Sequence, residues 1–169
     1  ATTNVAVQSG TRLVSTGGGV VIDPFTVASG NAYAYSSAGG FGHGTESNTR
    51  ADLASTSHVT LDGLIQAWND VAASSTTGQQ SDLQSGATGG SFAGSSSAGD
   101  GCNEPCHLVA TNTADLTVGG GAVIEADNVT LAAQMVSTNL KDYNRSNGDG
   151  AFEDSDATSD VNLTSTVHV

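Results

Sequence analysis

Apolar and polar side chains alternate along this chain in short runs divided by Gly or Asx residues. Val59 and Leu61 alternate with His58 and Thr60, and the pairs Leu116/Val118 and Val129/Leu131 repeat the pattern. A period of two predicts strands with one face inward. Helical spacing occurs over residues 61–73, where Leu64, Ala67, Trp68 and Val71 fall on one side. The matching stretches elsewhere contain Gly-Gly-Gly and Pro24, so β is the favoured reading there too.

The runs recur. TTNVAVQSG (residues 2–10), TSHVTLDG (56–63) and TADLTVGG (113–120) each read Thr, two small or polar residues, apolar-x-apolar, then a Gly turn. Their first apolar residues are Val5, Val59 and Leu116, and Val169 takes the same slot in the terminal STVHV. Residues 17–29 (GGGVVIDPFTVAS) align with 119–133 (GGGAVIEADNVTLAA) on their Gly runs, which leaves residues 11–16 as extra. ADLASTSHV (51–59) matches VNLTSTVHV (161–169). One domain of three repeats follows, at about 5–58, 59–115 and 116–168, with no internal boundary. Between the core strands lie excursions. Residues 32–53 and 135–163 read as strand out, Gly-rich turn and strand back, the latter turning at Asn147-Gly148-Asp149-Gly150; residues 85–101 read as a low-complexity loop. The expected architecture is an all-β, repeat-built parallel β-solenoid with protruding β-hairpin arms.

The pattern V-T-L-x-G, then V-I-x-A-x-x-V-T-L-x-A, then a small-residue arm returning through S-T-x-H-V, resembles the repeat regions of giant bacterial surface and extracellular proteins, the filamentous-haemagglutinin-like adhesins and related exoproteins. Val59, Leu61, Gly63, Ile65, Ala67 and Val71 carry the likeness in one repeat; Leu116, Val118, Val123, Ile124, Ala126, Val129 and Leu131 carry it in the next. The resemblance spans essentially the whole chain. It implies a parallel β-solenoid stalk, secretion, and a structural or adhesive role. Trp68, the cysteine pair and the stretch 141–145 depart from the pattern.

Composition narrows the choice. Gly, Ala, Ser and Thr make up half of the 169 residues, and there are one Trp and four Phe. Such small and β-branched side chains fill thin layers better than a round core. The charged fraction of 12% is low for a disordered acidic chain. A net charge of −13 excludes a nucleic-acid binder working by phosphate neutralisation and argues against docking on anionic membranes. No run of 18 apolar residues is present, so no membrane-inserted helix is expected.

Candidate chemistry is sparse. Cys102 and Cys106 are spaced to close a small disulfide loop around Pro105; free thiols, or a metal site with Glu104 and His107, are the competing readings. An acidic, Lys-poor chain fits an oxidising, extracellular or cell-surface setting. Asp149, Glu153, Asp154 and Asp156 form an oxygen-rich stretch suited to Ca²⁺, against a solvated acidic loop tip. His58 and His168 share one repeat position with Asn4 and Asp115, which predicts an outward polar column; its bland reading is a hydrogen-bonded ladder and its sharp one a metal or catalytic His58–Asp115 pair. Neither a G-x-S-x-G elbow nor H-E-x-x-H occurs. Trp68, Tyr33, Tyr35, Phe41 and Phe92 suit sugar or partner binding, against sheet packing.

These features predict a structural, non-enzymatic segment or subunit of a fibre, stalk or adhesin, with no required cofactor. It would assemble end to end through the strand edges at Val5, Val7, Val167 and Val169, or continue in a larger chain. A carbohydrate- or receptor-binding adhesin module and a β-helix polysaccharide-degrading enzyme are the alternatives.

Overall fold

The computed structural model describes residues 1–98, 108–149, 151–157, 159 and 161–168. The first repeat contributes β1 (Thr2–Val7), β2 (Arg12–Ser15), β3 (Val20–Ile22), β4 (Phe25–Gly40) and β5 (His43–Ser47). The second contributes β6 (Ala51–Leu61), β7 (Leu64–Ala67), β8 (Asp70–Ser91) and β9 (Ala93–Ala98). The third contributes β10 (Leu108–Val118), β11 (Val123–Glu125), β12 (Asn128–Gly148) and β13 (Phe152–Ala157), and β14 (Val161–His168) follows. The fold is all-β. Among the described residues no helix is long and apolar enough to cross a membrane.

Four sheets result, with strand orders β1-β6-β10-β14, β11-β7-β2, β12-β8 with β3 and β4, and β13-β9-β5. Every pairing among the described residues is parallel. Each strand therefore pairs with its counterpart one repeat away. Val5 lies beside Val59, and Val59 beside Leu116. Pro24 explains why the first-repeat strand of the third sheet is split into β3 and β4 while β8 runs unbroken. Proline has no N–H for the ladder and is tolerated on an edge; its carbonyl still accepts from the Thr76 N–H at 3.1 Å.

The core gathers where the first three sheets meet. Val59, Leu61 and Leu116 enter from the first sheet, Ile65 from the second, and Val20, Ile22, Val71 and Ala73 from the third. Close corners keep these sheets together. At Gly63 a Cβ would lie 2.6 Å from the Gln8 carbonyl oxygen, so only glycine lets this turn sit on the one before it. Farther along the strands the third sheet packs across the first and fourth. Ser75 Oγ donates to the Ser57 carbonyl at 2.7 Å, and Ser146 Oγ to the Ser96 carbonyl at 2.7 Å.

Three expectations need correction. The arms are not hairpins: their outgoing and returning legs pair in parallel with the next repeat, β4 with β8 and β5 with β9. A Gly-rich reversal fits a change of layer as well as a hairpin, and at 148–149 pairing simply continues, Gly148 with Gly89 and the Asp149 N–H to the Gly89 carbonyl at 3.0 Å. Residues 85–98 are not a loop but the end of β8 and β9, because Ser, Ala and Gly pack well where two layers lie close. The two Gly runs are not equivalent. Val123–Glu125 pairs through β7 with the level of Arg12–Ser15, whereas Val20–Ile22 pairs with Val71–Ala73. Residues 11–16 are thus no insertion but contain a regular strand; Gly-Gly-Gly serves either corner. Residues 61–73 are β, as the favoured reading has it: the end of β6, then β7 and the start of β8.

Candidate functional site

His58 and Thr60 are two residues apart on β6, so both face outward while Val59 and Leu61 face the core. The register sets Asp115 beside His58 and His168 beside Asp115, with Asn4 on the far side of His58. Asp115 Oδ2 lies 2.7 Å from His58 Nδ1, and Asp115 Oδ1 lies 3.4 Å from His168 Nδ1. Thr60 Oγ1 lies 2.9 Å from His58 Nε2. With a proton on Nδ1 held toward the carboxylate, Nε2 accepts from the Thr60 hydroxyl.

This hydroxyl–imidazole–carboxylate order is the order of an acyl-transfer relay. Such a relay also needs donors aimed at a developing oxyanion. β6 is paired on both sides, so its N–H groups around Thr60 are committed to the ladder. The arrangement bonds to itself: it ties β6 to β10, and β10 to β14, along the outer surface. As a partly exposed set it contributes on the order of 1 kcal/mol or less. Similar ladders run elsewhere, with Arg12 Nη2 donating to Gln66 Oε1 at 3.1 Å, Gln66 donating to Glu125, and Asn128 Nδ2 donating to Asp70 Oδ1 at 2.8 Å.

Of the calcium candidates, Asp149 is exposed just after β12, and Glu153, Asp154 and Asp156 lie on β13, paired with Gly94, Ser95 and Ser97. Among the described residues no group of three or more His, Cys, Asp or Glu side chains is placed to hold a metal ion. Cys102 and Cys106 lie outside the described residues, as does Val169. Val5 and Val7 lie on β1 and pack against the core, and Val167 lies on β14 at the opposite edge of the same sheet.

The aromatic residues are exposed. Phe41 and Phe92 stack face to face with ring centroids 5.2 Å apart. Trp68 lines a groove at the second sheet with Val14, Gln66, Glu125 and Asp127. Tyr33 and Tyr35 stand on the outer face of β4, where they meet Tyr143 and Arg145 of β12 across β8. Sequence reasoning passed over Thr60 and Tyr143. Thr60 was legible as the same-face neighbour of His58. Tyr143 required the register, since Tyr33, Gln84 and Tyr143 line up at unequal spacings through a bulge between Met135 and Thr138. No family model, no curated protein and no solved structure matches this chain.

Proposed function

We propose that the chain is a structural segment or subunit of an extracellular or cell-surface fibre, stalk or adhesin, wound as a parallel β-solenoid. It joins its neighbours, in a longer chain or in a second copy, by strand stacking. The observation that carries this reading is a difference in exposure at paired positions. Leu61 and Val71 in the middle repeat are 0% exposed, while their third-repeat partners Val118 and Val129 are each 46% exposed. Core positions in the middle repeat are covered above and below; those of the third repeat present an apolar row and unpaired strand edges. Such a surface favours a further stacked layer. A head-to-tail contact of this kind does not close and propagates as a filament.

Electron microscopy and light scattering of the purified chain test the proposal. Linear assemblies are expected, and the double variant Val118→Lys/Val129→Lys should shift them to single particles. A monodisperse species of about 16.7 kDa at high concentration would defeat it. The net charge of −13 keeps fibres apart within a Debye length of about 10 Å at 0.1 M salt, so salt or Ca²⁺ should promote lateral bundling.

A further inference from the structure

The outer face of the long third sheet carries a groove of about 360 Å³ that the stacking reading does not use. Its shape follows from register. One cross-strand row reads Tyr33–Gln84–Tyr143, and the next reads Tyr35–Gly86–Arg145. Neighbouring strands stand about 4.8 Å apart, so Tyr33 and Tyr143 rise about 10 Å from each other. Gly86 lets the Tyr35 ring lean over β8 toward Arg145; a Cβ there would come within 3.0 Å of that ring.

The walls are fixed and solvent-facing. Tyr33, Tyr35 and Tyr143 are 65%, 71% and 59% exposed. The Tyr35 hydroxyl donates to Thr88 Oγ1 at 3.0 Å, which anchors the ring over β8. Gln84 Nε2 donates to Asp82 Oδ1 at 3.0 Å, which fixes the amide and leaves its Oε1 as the acceptor. Charge is concentrated here as well. The chain has four Lys and Arg residues. Arg12 and Arg50 are engaged with Gln66 and Asp52. Lys141 and Arg145 flank Tyr143 at two-residue spacing on one face of β12, and Arg145 makes no hydrogen bond or ion pair to a described residue.

We propose that this groove binds an anionic pyranoside, a sugar ring bearing a carboxylate or a sulfate. Tyrosine faces take the C–H face of the ring, Gln84 Oε1 accepts from a hydroxyl, and the Arg145 guanidinium pairs with the acid group. An uncharged aromatic ligand would leave Arg145 unused, and a nonspecific polyanion would be repelled by the rest of a surface of net charge −13. Tyr33 and Tyr35 on β4 and Tyr143 and Arg145 on β12 belong to edge strands of the sheet, but the groove opens on the outer face, which edge-to-edge stacking leaves uncovered.

Titration calorimetry of the full chain with three hexasaccharide probes tests it: a κ-carrageenan hexasaccharide, which bears sulfate and no carboxylate, oligogalacturonate and neutral maltohexaose. Saturable binding of a charged probe is expected, and the two charged arms tell sulfate from carboxylate. Tyr143→Ala and Arg145→Gln should each weaken it at least tenfold. Gly86→Ala should weaken it too, and Phe41→Ala should leave it unchanged. Circular dichroism and urea midpoints close to those of the parent chain establish that the variants fold. The proposal is overturned if neither charged probe binds saturably, if maltohexaose binds as tightly, or if folded Tyr143→Ala binds like the parent.

Discussion

The end where three sheets converge and the wing where two layers face each other share one parallel register but are filled differently. At the three-sheet end the buried side chains are Val59, Leu61, Ile65, Val71 and Leu116. In the adjoining wing the polar side chains of Ser55, Ser57, Thr77, Gln79 and Asn112 are fully buried beside Leu83, Leu108, Ala110 and Ala114. A three-sided section encloses volume that only branched aliphatic side chains fill, at about 1.5–3 kcal/mol of stabilisation for each one buried. Two facing layers enclose little, so hydroxyls and amides fit, provided they find partners. Gln79 Nε2 donates to the Leu53 carbonyl at 3.2 Å and to the Thr111 carbonyl at 2.7 Å, bridging from the third sheet to two strands of the first. Ser55 donates to Asn112, and Asn112 Nδ2 approaches Met135 Sδ at 3.0 Å. A chain poor in large apolar residues thus gathers most of them at one end and ties the wing by a few directed bonds, while Thr77 Oγ1 and Gln79 Oε1 have no partner among the described residues.

Substitutions should separate the two regions. The largest effect is expected from Ile65→Asp, which places a carboxylate in the three-sheet core. Denaturant titration should show more than about 4 kcal/mol lost, or no cooperative transition at all. Leu61→Ala should cost about 2–5 kcal/mol through lost burial and the cavity left behind. In the wing, Gln79→Leu keeps bulk but removes the donor from two backbone carbonyls, and about 1–3 kcal/mol should be lost. If urea titration ranked Gln79→Leu level with Ile65→Asp, or found it stabilising, the distinction between the regions would collapse. The smallest change is expected at the outer column. Asp115→Asn should alter stability by about 1 kcal/mol or less, since its hydrogen-bonded contact with His58 is partly exposed.

The three-sheet end was the more legible in sequence. Alternation at Val59/Leu61 and Leu116/Val118 marked its strands, and the shared Thr-x-x-apolar context aligned Val5, Val59 and Leu116 as they pair. The wing was read as hairpins and loop because its signal is compositional. Ser, Ala and Gly define neither an inward face nor a register, so β8 from Ser85 on and the whole of β9 looked unstructured. The same weakness misaligned the Gly runs. Of the outer column, the His58–Asp115 pairing was visible from equivalent repeat positions. Thr60 was a same-face neighbour left unread, and the tyrosine groove depends on cross-strand alignment that local sequence does not carry.

The offset between paired residues, 54 from Val5 to Val59, has a mechanical meaning. Each repeat advances the stack by one strand spacing, about 4.8 Å. The same 54 residues pulled straight would reach about 190 Å, at about 3.5 Å per residue. Nearly all of the contour length is therefore folded sideways, across the stacking axis. Load applied through the backbone would peel edge strands first and release slack one repeat at a time, the length contributed by each lost repeat growing about fortyfold while the repeats behind it keep their register.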